Sequence, residues 1–176
     1  MKINELKVLF SEEQLQSRIK ELADEMNKFY NGREVVAICV LKGAVMFAVD
    51  LVKHLDMPLQ LEFIRLSSYG SGTVSTGKVH AVDISLPDLN NKNVLIIEDI
   101  VDTGLTAKFL LDFINSNFKT ASTKFCSLLD KKITRKTDIE PDYYGFDVDD
   151  KFVVGYGLDY DGYFRNLKYI AYKEKE

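Results

Sequence analysis

No stretch of this 176-residue chain is apolar for long enough to cross a bilayer, and the opening MKINELKVLF is too polar for a signal peptide. No membrane attachment is therefore expected, and the cytoplasm is the expected compartment. Cysteine is scarce: Cys39 and Cys126 both sit in apolar, strand-like runs, and neither has a ligand partner at metal-binding spacing. Both are read as reduced core residues rather than as redox or nucleophilic groups. Histidine is equally scarce, and His54 and His80 fit no catalytic pattern, so they are assigned to the surface. A basic excess is missing too, with 23 Lys and Arg against 27 Asp and Glu and a net charge of −4. That balance argues against broad nucleic-acid binding, and any anionic ligand must be held by local cations and backbone donors. There is no internal repeat or low-complexity segment. What remains, 46% hydrophobic and 28% charged, is the composition of one globular domain with a sizeable core.

The chemistry concentrates in Val94 to Phe109, VLIIEDIVDTGLTAKF. Val94, Leu95, Ile96 and Ile97 form a short β-branched run, as expected of a parallel strand covered on both faces. Glu98 and Asp99 follow at once, and Asp102 three residues on. Thr103, Gly104, Leu105 and Thr106 then open a segment in which Leu105, Phe109 and Phe113 recur at helical spacing. A strand that ends in such a loop and helix presents free N–H groups and the positive end of a helix dipole, which suits a phosphate. Gly104 permits close backbone approach, and Thr103 and Thr106 add hydroxyl donors. Carboxylates beside a phosphate site repel it unless they hold a divalent cation or accept from sugar hydroxyls. The combination points to a phosphorylated sugar with magnesium; the bland alternative is a solvated acidic turn.

Elsewhere, Ser11 and Gln14 form a capping box, and Leu15, Ile19, Leu22, Met26 and Tyr30 mark one face of a helix ending at Asn31-Gly32. Residues 34–41 read as a buried strand, 43–55 as a helix after a tight Lys42-Gly43 turn, and 59–66 as a further strand. A loop dense in Gly, Ser and Thr runs from Ser67 to Lys78, before strand patterns at 79–86, 123–129 and 152–156. Pro141 and Gly145 punctuate the last connection. Strands alternating with helices imply an α/β fold with a parallel sheet, and ligands bind beyond the carboxyl ends of its strands. The N-terminal helix and the segment from Tyr156 to Tyr172 fit no βα unit and are expected to cover the site from outside.

Two partial motifs fail. Residues 72–79, GTVSTGKV, nearly spell a P-loop, but Val79 stands where Ser or Thr must ligate magnesium, and a strand pattern follows where a helix is required. Gly155-Tyr156-Gly157 begins a dinucleotide fingerprint, but Tyr160 occupies the place of its third glycine.

Hydrophobic strand followed by EDIVDTGLT resembles the phosphoribosyl-pyrophosphate motif of the type I phosphoribosyltransferases. LKGAVMF from Leu41, LSSYG from Leu66, SLLDKK from Ser127 and DKFVVGYGLDYDGYFRNL from Asp150 resemble the hypoxanthine-guanine branch, so the likeness spans about residues 35 to 170. It implies a parallel-sheet core at about residues 33–140 with a hood from about 1–15 and 141–176, all in one domain. It implies Mg2+, with Glu98, Asp99 and Asp159 as the acidic groups that hold it. Asp102 would be the base toward the purine, and Glu98, Asp99, Asp102, Thr103, Gly104, Leu105 and Thr106 would bind ribose and 5-phosphate. Leu41, Lys42, Gly43 and Arg165 would hold pyrophosphate, the Leu41-Lys42-Gly43 loop being one that often contains a non-proline cis peptide.

Ser68 and Tyr69 stand where the family carries the Ser-Tyr pair of a catalytic loop, although composition alone gives a solvated hairpin there. Lys131, with Lys132 a surface lysine by composition, resembles the lysine that reads the 6-oxo group. Phe152, core by periodicity, resembles the aromatic that stacks on the base beside Val153, and Asp159 belongs to the same purine-side group. Leu105 departs from relatives that have lysine in the cradle, which removes one cation from the phosphate. The expected reaction moves 5-phosphoribosyl from phosphoribosyl pyrophosphate to hypoxanthine or guanine and releases pyrophosphate, in a homodimer or homotetramer that binds no nucleic acid. The alternatives are a phosphoribosyltransferase for xanthine or another base, and a non-catalytic regulator on the same fold.

Overall fold

The computed structural model describes residues 2–68 and 79–174, and for residues 67, 68 and 79–83 the backbone alone. In chain order the elements are β1 (Lys7–Phe10), α1 (Glu12–Tyr30), β2 (Val35–Leu41), α2 (Val45–Val52), β3 (Leu59–Ser68) and β4 (Val79–Asp83). They continue with β5 (Asn93–Val101), α3 (Leu105–Asn117), β6 (Ser122–Asp130), β7 (Tyr143–Asp147), β8 (Val153–Val154) and β9 (Ile170–Tyr172). The large sheet has the order β4-β3-β2-β5-β6-β7, parallel from β3 to β7, with β4 antiparallel at the edge.

Local chemistry explains the start. Ser11 caps α1 by accepting from the Gln14 N–H while the Gln14 side chain accepts from the Ser11 N–H at 2.9 Å. Asn31 ends the helix in the left-handed region at φ 47°. Leu15, Ile19, Leu22, Met26 and Tyr30 are all fully buried, as their spacing predicts. With Phe47, Ala48 and Leu51 of α2 they cover one face of the sheet. Ala107, Leu110 and Ile114 of α3 cover the other, against Val36, Ile38, Val94 and Ile96. Both faces of β2 and β5 are thus apolar, which is why these strands read as continuous hydrophobic runs.

Several expectations are corrected. The helix expected over 43–55 is confined to Val45–Val52, because residues 42–44 form turns in which the Val45 N–H reaches the Lys42 carbonyl at 3.4 Å. The strand expected over 79–86 ends at Asp83, and the one expected over 152–156 shrinks to Val153–Val154. The connection thought to be punctuated by Gly145 contains β7: a β-carbon there would meet the Leu128 carbonyl oxygen at 2.5 Å, so this glycine serves strand packing and not chain reversal. The large sheet therefore continues through β7, which pairs with β6. The helix expected to cover the site from outside, α1, is instead a layer of the main core.

A second sheet, β1-β9-β8, antiparallel throughout, joins the two ends of the chain. The segment between β8 and β9 is folded back on itself, with the Tyr156 N–H donating to the Leu167 carbonyl at 2.9 Å and the Gly157 N–H to that of Arg165 at 3.0 Å. It overhangs the carboxyl end of β2.

Candidate active site

In the large sheet the chain leaves β2 toward β3 on one side, whereas β5 leads to β6 and β7 on the other. The crevice between the carboxyl ends of β2 and β5 is a switch point, the place where open α/β sheets bind ligands. Leu41, Lys42 and Gly43 end β2 here, the Leu41–Lys42 peptide being cis. Glu98, Asp99 and Asp102 end β5. The register sets Val101 opposite Asp130, and the Lys131 N–H donates to the Val101 carbonyl at 2.9 Å, so Lys131 is held beside Asp102.

Two cavities share this crevice. One, of about 220 Å³, runs along Glu98 to Ala107. Its floor is the start of α3, whose N-cap is Gly104 at φ 80° with no side-chain cap; the Leu105 N–H reaches the Thr103 hydroxyl at 3.5 Å, and the rest of the first turn is open to an anion. Gly104 is required twice, by its φ and because a β-carbon would overlap the Thr137 hydroxyl and crowd Arg135. The other cavity, of about 360 Å³, lies between Lys42, Gly43, Glu98, Asp99, Asp159 and Arg165, and Thr106 lines both. Glu98 is 8% exposed, and its Oε2 has no hydrogen-bond partner. Burial, then the adjacent Asp99 carboxylate, hold Glu98 well above the ordinary carboxylate range. Burial raises Asp99 as well, against the Ile100 N–H donating to Oδ1 at 2.8 Å and the attraction of Arg165.

Arg165 pairs with Asp159 at 2.6 Å and donates to the Gly157 carbonyl at 2.6 Å, while Asp159 accepts the Gly162 N–H at 2.7 Å. These residues come from the segment between β8 and β9, so the second sheet contributes a wall of the crevice. Among the described residues, no group of three or more His, Cys, Asp or Glu side chains converges as a metal cage.

Lys131 is only 11% exposed, donates to the Lys151 carbonyl at 3.2 Å and pairs with Asp150 at 3.4 Å. That ties it to the chain next to Phe152. Phe152, core by periodicity, is instead 54% exposed and meets the Tyr160 ring edge-on at 5.9 Å. The Val153 side chain is buried in the main core. The expected roles of Ser68 and Tyr69 lie outside the described residues, as does the near P-loop at 72–78.

Three groups were not foreseen. Asp130 is buried and pairs with Arg135, which also donates to the carbonyls of Val101 at 3.3 Å, Asp102 at 3.2 Å and Ile139. The Thr134 hydroxyl donates to Asp102 Oδ1. Asp50 accepts from the Tyr156 hydroxyl at 2.6 Å and from the Gln16 amide at 2.9 Å, fastening the overhanging segment to α1 and α2. No spacing rule marks these pairs; only Asp130, an acid closing an apolar strand, carried a local signal.

A doubly wound parallel sheet with an acidic strand end, an open helix N-terminus at the switch point and an overhanging cap from both chain ends defines an α/β protein with a ligand crevice at its switch point. The chain belongs to the phosphoribosyl transferase domain family, whose description matches residues 9–161. Within that family it is similar to the hypoxanthine-guanine phosphoribosyltransferase of Bacillus subtilis (strain 168), 47% identical over 94% of this chain and 91% of the relative. The Staphylococcus aureus (strain Mu50) enzyme of the same name is 46% identical over 96% of this chain and 94% of its own. A crystal structure of a Staphylococcus aureus hypoxanthine phosphoribosyltransferase superimposes with a TM-score of 0.91 at 44% identity, covering 97% of this chain and 93% of that one.

Proposed function

We propose that this chain transfers the 5-phosphoribosyl group of phosphoribosyl pyrophosphate to N9 of hypoxanthine or guanine, giving IMP or GMP and pyrophosphate, in purine salvage. The observation that carries the reading is the meeting of two anion-suited cavities across Glu98 and Asp99 at the switch point. Their separation by one pair of carboxylates suits a ribose with phosphate at one end and pyrophosphate at the other. The 5-phosphate would take the N–H groups of Thr103 to Thr106 and the threonine hydroxyls. Pyrophosphate would lie against Lys42, Gly43 and Arg165, which stabilise its charge as the C1′–O bond breaks. Glu98 and Asp99 would orient the ribose hydroxyls. The N9–C1′ bond forms as Asp102 takes the proton from the purine ring nitrogen.

The donor set also fits magnesium. A buried carboxylate with an oxygen lacking any partner, and a half-buried one next to it, are the hard oxygen donors that such a cation selects. Glu98 and Asp99, with Asp159 across the cavity, would hold it. When bound, magnesium offsets the charge of the pyrophosphate. Lys131 would donate to the 6-oxo group, with Phe152 against the face of the base and the main chain of Val153 at its edge. The same reading carries a cytoplasmic setting and a homodimer or homotetramer. No helix among the described residues is long and apolar enough to cross a membrane.

The test is phosphoribosyl-pyrophosphate-dependent nucleotide synthesis with hypoxanthine, guanine, xanthine, adenine, uracil and orotate. Product from hypoxanthine and guanine is expected. Product from another base alone would reassign the substrate, and no product from any base would favour a non-catalytic binding protein.

A further inference from the structure

The turn after β6 is built against the loop that carries Asp102. The Lys136 N–H donates to the Thr103 carbonyl at 2.9 Å, and the Arg135 guanidinium spans the carbonyls of Val101 and Asp102 while anchored on buried Asp130. On this frame the Thr134 hydroxyl lies within reach of two acceptors, Asp102 Oδ1 and the Lys131 carbonyl at 3.2 Å. A hydroxyl has one proton to donate, and an ionised carboxylate outcompetes a neutral carbonyl for it. Among the described residues no other side chain donates to the Asp102 carboxylate, which is otherwise exposed. Among the described residues Thr134 is thus the side-chain donor that fixes its rotation.

We propose that Thr134 is a positioning residue for proton transfer: it engages Asp102 Oδ1 and so presents Oδ2 to the purine N–H. The inference rests on Asp102 being the base. Lys131 and Thr134 stand at the two ends of one short turn, so the residue that orients the base and the residue assigned to read the 6-oxo group share a frame. As N9 bonds to C1′ and pyrophosphate leaves, the ring proton passes to Oδ2, and the Thr134 proton stays on its own oxygen. No side-chain pattern around Thr134 suggested this role. Its β-branch makes the rotamer stiff, so the hydroxyl is held in place at little further entropic cost.

The experiment measures single-turnover nucleotide formation, with protein in excess over hypoxanthine, for Thr134→Val and Thr134→Ser, each alone and with Asp102→Asn. Steady-state KM for phosphoribosyl pyrophosphate is measured alongside. Thr134→Val should lower the single-turnover rate about tenfold, the scale of one hydrogen bond to a charged group, with KM changed less than about twofold. Thr134→Ser, which keeps the donor, should recover most of the rate. In the Asp102→Asn background Thr134→Val should have no further effect, because the group it orients no longer accepts a proton. An equal loss in both backgrounds, no loss from valine, or no rescue by serine overturns the proposal and leaves the base assignment standing. If Asp102→Asn alone is silent, the base assignment itself falls, and the role of Thr134 with it.

Discussion

Gly157 backs onto Gly43 so closely that a β-carbon on Gly157 would collide with the Gly43 carbonyl oxygen, and one on Gly43 would collide with the Asp99 carboxylate. Overhanging segment, cis-peptide loop and strand-end acid are therefore stacked with no room for a methyl group. Gly157 also has φ +102°, where side chains are strained. Gly157→Ala should cost about 1 to 3 kcal/mol, as overpacking does, and raise KM for phosphoribosyl pyrophosphate more than for hypoxanthine. Thermal unfolding and initial rates check both. Wild-type values for each would mean that the stack yields without consequence.

Tyr156, next in the chain, predicts a pH dependence. Burial pushes the Asp50 carboxyl up, but the donors Tyr156, Gln16 and Lys53 together hold it below its ordinary value of 3.8. A carboxylate depressed in the folded state contributes stability above its unfolded value, and this is lost as pH falls through the folded one. Tyr156→Phe should therefore cost about 1.5 kcal/mol at neutral pH, the low end for a bond to a charged acceptor, because Asp50 keeps two other partners. The difference in Tm between wild type and variant should shrink below pH 3.8. A gap that is the same at both pH values would mean that the hydroxyl does not act through the Asp50 charge.

What was legible in the sequence was what is local in the chain. The acids, Gly104 and the start of α3 are contiguous, so one stretch of residues displayed both the open helix N-terminus and the carboxylates beside it. Helical spacing likewise gave the buried face of α1, because five residues at intervals of three and four must share a side. Periodicity failed where an apolar side chain stands on the surface, as at exposed Phe152, and where a glycine marks close packing, as at Gly145 in β7. Gly43 with Gly157, and Asp50 with Tyr156, are more than a hundred residues apart and meet only through the overhang of the second sheet. Asp130 with Arg135 is near in sequence, yet its pairing depends on the turn that brings the guanidinium back over the strand end.

On the proposed reading, the burial of Glu98 predicts magnesium dependence. A buried carboxylate beside a half-buried one is costly to ionise without a cation, and one Glu98 oxygen has no other partner. Excess chelator should abolish turnover, and magnesium added back should restore it. Magnesium should also raise the Tm of the protein with phosphoribosyl pyrophosphate bound, and Glu98→Gln should reduce that rise. Full activity in chelator would remove the metal-holding role from Glu98, Asp99 and Asp159.

Lys131 should set the preference for 6-oxo over 6-amino purines. Its ammonium is nearly buried, and two of its directions are committed to the Lys151 carbonyl at 3.2 Å and Asp150 at 3.4 Å, which leaves a third for the base. An ammonium has only donors, so it can pair with the oxygen of hypoxanthine or guanine but meets two further donors on adenine. A hydrogen bond from a charged group contributes about 1.5 to 3 kcal/mol, so losing it should lower kcat/KM for hypoxanthine by roughly 10- to 150-fold. Lys131→Gln also relaxes the discrimination, because an amide can turn to donate or accept, and the loss for adenine should be smaller than for hypoxanthine. The measurement is kcat/KM for both bases in wild type and variant. An unchanged ratio would show that position 6 is read elsewhere, Lys132 and the local backbone being the nearest donors.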